Sequence, residues 1–140
     1  MYVFKVNENL LITIMKKIGI IVARFQVPTL HSGHLHLIRE AIKQSDLLVI
    51  FLGHKVNQPD RKNPFTLSVR KGMLVQELMK MNALDGVTVD TIEDHPVSNE
   101  CWSEELDRKI EGYILTKNIK QAEVTLYGSR DSFTGSYFGK

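Results

Sequence analysis

Ile18-Gly19-Ile20-Ile21-Val22-Ala23 is a short, unbroken apolar run rich in β-branched residues. A run of that length and composition suits a strand buried on both faces, the habit of parallel sheets. Beyond a loop, Leu35, Leu37, Ile38, Ala41 and Ile42 recur at helical spacing, with Ser32 or Gly33 available near the helix start. Residues 47–52 read LLVIFL, a second buried strand that Gly53 ends. Residues 53–65 are polar and basic and hold Pro59 and Pro64, a long loop of the sort that usually carries function. Thr66 can cap a helix whose apolar positions Leu67, Met73, Leu74, Leu78 and Met81 run to about Asn82. A strand over residues 87–92, a polar loop over 93–102 and an amphipathic helix over 103–118 follow, the helix carrying Leu106, Ile110, Tyr113 and Ile114 as its stripe. Residues 123–127 form a fourth strand, which Gly128 closes. The order βαβαβαβ, without a hairpin signal, predicts an α/β fold: a doubly wound parallel sheet with right-handed crossovers and helices on both faces. Ligands of such sheets sit beyond the carboxyl ends of the strands, where the strand order reverses.

Length and composition agree with one domain. The chain has 140 residues, 43% hydrophobic and 24% charged, enough to bury a core without staples. Cys101 is the single cysteine, which excludes an internal disulfide framework and any zinc site built on two thiols, and suits a reducing, cytoplasmic setting. A formal net charge of +2 announces no nucleic-acid footprint, and no apolar segment has the length of a membrane span. Charge is unevenly spread all the same. Lys55, Arg61, Lys62, Arg70 and Lys71 crowd around one acid, Asp60, which favours a small anionic ligand over a polymer. Residues 1–14 read as an upstream extension of unknown role, with an extra edge strand at residues 10–13 as the alternative, and residues 15–140 as the domain itself.

The densest chemistry lies in Arg24-Phe25-Gln26-Val27-Pro28-Thr29-Leu30-His31-Ser32-Gly33-His34, between the first strand and the first helix. Gly33 lets backbone approach a ligand at a helix start, where unpaired N–H groups and the positive end of the dipole favour phosphate. His31 and His34 are three residues apart, so a helix beginning near Ser32 turns both imidazoles toward one anion. Arg24, at the end of the strand, adds a fixed positive charge. A metal site is the competing use of two histidines, but no third ligand stands at suitable spacing apart from His36, which the helix turns elsewhere.

With these residues the chain resembles the nucleotidyltransferase superfamily marked by His-x-Gly-His after its first strand. Within it, the chain is similar to the nicotinamide mononucleotide adenylyltransferases of the archaeal and Nudix-fused bacterial type. The resemblance spans residues 17–133 and rests on Arg24-Phe25-Gln26 with Pro28, on His31-Ser32-Gly33-His34, and on Asn63-Pro64-Phe65-Thr66 with Arg70. Asn99-Glu100-Cys101-Trp102 and Tyr127-Gly128-Ser129-Arg130 complete it. It implies a Rossmann-like nucleotidyltransferase fold in which His31, His34 and Arg24 are catalytic and hold ATP phosphates. Phe25, Gly33, Gly128, Ser129 and Arg130 complete the implied ATP site. Lys62 would meet the mononucleotide's phosphate, Asn99 its carboxamide and Trp102 its pyridinium, a flat cation for which an indole face is the best side-chain partner, with packing under a loop as the alternative for Trp102. Arg70, on the second helix, would make either a substrate contact or a structural salt bridge.

That resemblance implies adenylyl transfer from ATP, accompanied by Mg²⁺, to nicotinamide mononucleotide, giving NAD and pyrophosphate. The chemistry asks little of the protein. A phosphate monoester is already an anion at neutral pH, so aligning two phosphates and neutralising charge is most of the task. Alternatives are a phosphopantetheine or polyol phosphate substrate, the deamidated mononucleotide, or a nucleotide-binding module without turnover. Two features depart from the family pattern. Phe25 and His31 are six positions apart where the family has four, and nothing after Arg130 supplies the later Ser-x-Thr-x-x-Arg-like phosphate motif, so the domain is expected to be truncated at its C-terminal end. Exposed sheet edges leave a homo-oligomer open.

Overall fold

A computed structural model describes residues 2–5, 15–25, 30–54, 65–93 and 99–128. In chain order the elements are β1 (Tyr2–Lys5), β2 (Lys16–Ala23), α1 (Ser32–Gln44), β3 (Leu47–His54), α2 (Leu67–Lys80), β4 (Val87–Glu93), α3 (Asn99–Thr116) and β5 (Ala122–Tyr127). They build one sheet in the order β1-β5-β2-β3-β4. β2, β3, β4 and β5 are mutually parallel, with Ile21 opposite Ile50 on one side and opposite Tyr127 on the other. This is the doubly wound, Rossmann-like sheet expected. β1 is an addition to it: Tyr2–Lys5, inside the segment read as an extension, pair antiparallel with β5. The alternative edge strand at residues 10–13 lies outside the described residues.

Both faces of the sheet are covered because its strands are apolar on both. Ile18, Ile20, Val22, Val49, Phe51, Val124 and Leu126 pack with Trp102, Leu106, Ile110 and Ile114 of α3. Ile21, Leu48, Ile50 and Leu52 pack on the other face with Ile38 and Ala41 of α1 and Leu74 and Leu78 of α2. Alternate residues of the same strand thus feed two cores. Gly19 permits close docking of the end of α1, since a Cβ there would collide with Ser45 Oγ and lie 3.1 Å from both Leu48 and Tyr127 side chains. No helix among the described residues is long and apolar enough to cross a membrane.

Helix ends follow local chemistry. Thr66 caps α2 by accepting from Val69 N at 3.2 Å. α2 and α3 both close on an asparagine with positive φ, Asn82 at 53° and Asn118 at 55°. Around each, paired backbone bonds (Asn82 N to Met79 O with Ala83 N to Leu78 O, and Asn118 N to Leu115 O with Ile119 N to Ile114 O) make a Schellman motif. One boundary differs from expectation. α3 begins at Asn99, four residues before the predicted start, because Trp102 opens an i, i+4 stripe with Leu106, Ile110 and Ile114.

The chain runs from β2 outward to β3 and β4, then returns past β2 to β5. The strand order therefore reverses between β2 and β5, and the carboxyl ends of those two strands mark the place where a ligand crevice forms.

Candidate active site

Arg24 and Phe25 leave β2 at that reversal, and Leu30 and His31 lead into α1. His31 itself is the N-cap of α1, in place of the Ser32 or Gly33 anticipated. Its imidazole does the work of a serine or aspartate oxygen: Gly33 N donates to His31 Nδ1 at 3.1 Å. His34 reciprocates, its Nδ1 accepting from His31 N at 3.4 Å. The two rings stack with centroids 3.6 Å apart and planes 23° from parallel. Phe25 sets its ring edge-to-face against His34 at 5.0 Å.

These contacts decide the protonation pattern. A ring nitrogen that accepts a hydrogen bond carries no proton, so each neutral imidazole holds its proton on Nε2, the nitrogen turned away from the cap. Both rings thereby present an N–H donor at a helix N-terminus. The pair also resists becoming doubly charged: burial first, and the neighbouring His31 second, push the His34 pKa below its ordinary value. Space for this arrangement comes from Gly33, where a Cβ would sit 3.0 Å from His31 Cε1 and 3.2 Å from its Nδ1.

Other residues predicted for the site are distributed as follows. The Arg24 side chain is exposed, while its carbonyl accepts from Arg70 Nη1 at 2.8 Å. Phe25 is 4% exposed and has φ of 49°, an unusual conformation for a bulky residue. Gly128 follows β5 and is exposed, beside the end of β2. Arg70 is fully buried and is removed from the cationic surface to which its sequence neighbours seemed to assign it. Its guanidinium donates to Arg24 O, to Gly53 O at 2.7 Å and to Phe65 O at 3.2 Å. Trp102 is 8% exposed and stands in the α3 core, on the first turn of a helix and not in a loop. Asn99 starts the same helix; its side chain, like Gln26, Pro28, Lys62, Ser129 and Arg130, lies outside the described residues. The reciprocal histidine cap and the three-carbonyl arginine were not anticipated. The first was latent in the His-x-x-His spacing, which is that of a capping box.

Imidazole N–H groups and a helix N-terminus are an anion's partners. Among the described residues no group of three or more His, Cys, Asp or Glu could hold a metal ion.

Comparison with known proteins identifies the family. The family model described as cytidylyltransferase-like matches residues 20–121. Nicotinamide-nucleotide adenylyltransferases of Thermococcus onnurineus (strain NA1) and Thermococcus kodakarensis are each 38% identical over 64 residues, 46% of this chain. The matched part amounts to 33% of the length of each relative. A bifunctional NMN adenylyltransferase/ADP ribose pyrophosphatase from Francisella tularensis, crystallised with AMP and a manganese ion, superposes with a TM-score of 0.72 at 29% identity. That superposition covers 90% of this chain and 37% of the Francisella protein.

Proposed function

The chain belongs to the cytidylyltransferase-like family of nucleotidyltransferases, and from that premise we propose that it transfers the adenylyl group of ATP to nicotinamide mononucleotide. The observation that carries the proposal is the stacked His31–His34 pair, whose Nδ1 atoms are occupied by backbone N–H groups so that both Nε2–H groups serve as donors. The relatives named above supply the substrate pair.

In this reading an oxygen of the mononucleotide's phosphate attacks the α-phosphorus of ATP. A P–O bond forms to that oxygen, the bond between α-phosphorus and the bridging oxygen breaks, and pyrophosphate leaves. No proton need be removed from the nucleophile. His31 and His34 donate to phosphate oxygens, the N-terminus of α1 adds its dipole, and Arg24 supplies formal charge. Lys62 and Arg130, with Ser129, Gly128 and Asn99, complete the proposed contacts. A divalent ion, when bound with the nucleotide, would neutralise phosphate charge; the donors described here suit the phosphates it accompanies.

The test is direct. Incubating the protein with Mg-ATP and nicotinamide mononucleotide should yield NAD and pyrophosphate in equal amounts, and His34→Ala should reduce the rate by about 10²-fold or more, the usual cost of one oxyanion donor. Absence of NAD from the wild-type protein, with ATP bound and unchanged, would reject catalysis in favour of a nucleotide-binding role.

A further inference from the structure

We infer that Arg70 is a positioning residue: a buried guanidinium that fastens the ends of β2 and β3 to the start of α2 and so sets the place of the histidine pair. This rests on the nucleotidyl-transfer reading for its kinetic consequence only.

Arginine is almost never fully buried unless its donors are met. Arg70 is 0% exposed, and among the described residues its guanidinium meets backbone carbonyls at three separate positions of the chain. Nη1 bonds the carbonyl of Arg24, just beyond β2, and that of Gly53, near the end of β3. Nε bonds the carbonyl of Phe65, just before α2. Gly53 and Phe65 stand on either side of residues 55–64, which contain Lys62, so one side chain anchors both flanks of that stretch. Charge-assisted bonds to carbonyls are stronger than neutral ones, and a planar fork meets several acceptors with little loss of freedom.

The bond to Arg24 O matters most. The next residue, Phe25, is held at φ 49°, a conformation that strains a bulky residue and persists only where its surroundings over-determine it. Arg70 grips the peptide immediately before that residue, and burial fixes the Phe25 ring after it. The ring edge then abuts His34, which stacks on His31. A continuous chain of contacts thus leads from the guanidinium through Arg24, Phe25 and His34 to the cap of α1. A residue in this place acts on geometry and has no need to touch substrate.

The experiment uses the whole chain, wild type and variant. In the wild type, the Arg70 Nε–H resonance should exchange slowly with solvent and keep its chemical shift when a non-hydrolysable ATP analogue and nicotinamide mononucleotide bind, while the Nε2–H resonances of His31 and His34 move. A shift of the Arg70 signal as large as that of the histidines would mean a substrate contact and overturn the inference. Arg70→Lys, which keeps charge but cannot span three carbonyls, should lower kcat by about 10²-fold, the order expected from a displacement near 1 Å, with KM for ATP within about threefold. It should also abolish the separate Nε2–H signals of the histidines. A variant that unfolds less cooperatively but keeps wild-type histidine signals and kcat would show a structural role alone and also overturn the inference. If Arg70→Lys does not fold, Phe25→Leu, which cuts the same chain of contacts beside His34, should show the loss of kcat and the altered histidine signals, and wild-type kcat and signals in that variant would overturn the inference. Should the wild type make no NAD, the adenylyl-transfer proposal fails while the histidine signals continue to test Arg70.

Discussion

At Gly33 a single methyl group separates two outcomes. Its Cβ would stand 3.0 Å from His31 Cε1, close enough that the imidazole must move by a few tenths of an ångström. The ring is a flexible side chain, so folding tolerates the shift, and the loss is bounded by that of an N-cap, about 1 kcal/mol. Phosphate binding does not tolerate it as well, since the donor itself is displaced. Gly33→Ala is therefore expected to reduce kcat/KM for ATP by about 10- to 100-fold while lowering the thermal midpoint only slightly, as steady-state kinetics and thermal unfolding will show. His34 makes a pH prediction of definite sign. Burial, then the charge of His31, holds its pKa under the ordinary 6.5, so the unfolded chain takes up the proton first. Stability from this group is present in full above 6.5 and is lost as the pH falls through the lowered folded value. Wild-type unfolding midpoints should decline over that interval, and His34→Gln should flatten the decline; equal slopes for both proteins would contradict the assignment.

Among the elements, α3 shows how a sequence can be read correctly in kind and wrongly in extent. The stripe is legible from Leu106 onward, but a tryptophan after a polar loop reads equally as a ligand-stacking residue, and only the four-residue rhythm with Leu106, Ile110 and Ile114 places Trp102 on the helix. The core position changes the test of its proposed role. Trp102→Ala would remove a large buried side chain and cost about 3–5 kcal/mol, obscuring any effect on binding. Trp102→Phe keeps an aromatic in the core. If the indole meets the pyridine ring, that variant should raise KM for the mononucleotide several-fold with KM for ATP unchanged; if it is packing alone, both constants should stay and only the unfolding midpoint should fall. The loop between β2 and α1 was more legible because its site residues are contiguous, and a local spacing suffices to bring His31 and His34 together. Arg70 could not be read that way. Its carbonyl partners at Arg24 and Gly53 are 46 and 17 residues distant, and no periodicity reports that a charged residue on α2 is turned inward to meet them.

For the whole molecule, the parallel order of β2 to β5 was legible because continuous apolar strands separated by amphipathic helices admit few other arrangements. β1 was not, because four residues carry too weak a pattern and their partner, β5, is more than a hundred residues away in sequence. That pairing bears on the proposed division at residue 14. β5 lies between β1 and β2, and its end at Tyr127 lies beside the point where the strand order reverses. Removing residues 1–14 would turn β5 into an unprotected edge, with backbone groups open to water on one side. The parallel ladder from β5 to β2, with Val124 and Leu126 buried in the α3 core, would remain. Cross-strand pairs contribute about 0.2–1 kcal/mol each, so a four-residue strand is expected to stabilise the fold by about 1–3 kcal/mol. Truncation should therefore lower the unfolding midpoint by roughly 3–10 °C. If residues 15–140 hold the catalytic domain as proposed, kcat should be unchanged at temperatures below that transition. A loss of kcat without unfolding would instead make β1 part of what aligns β5 with the active site.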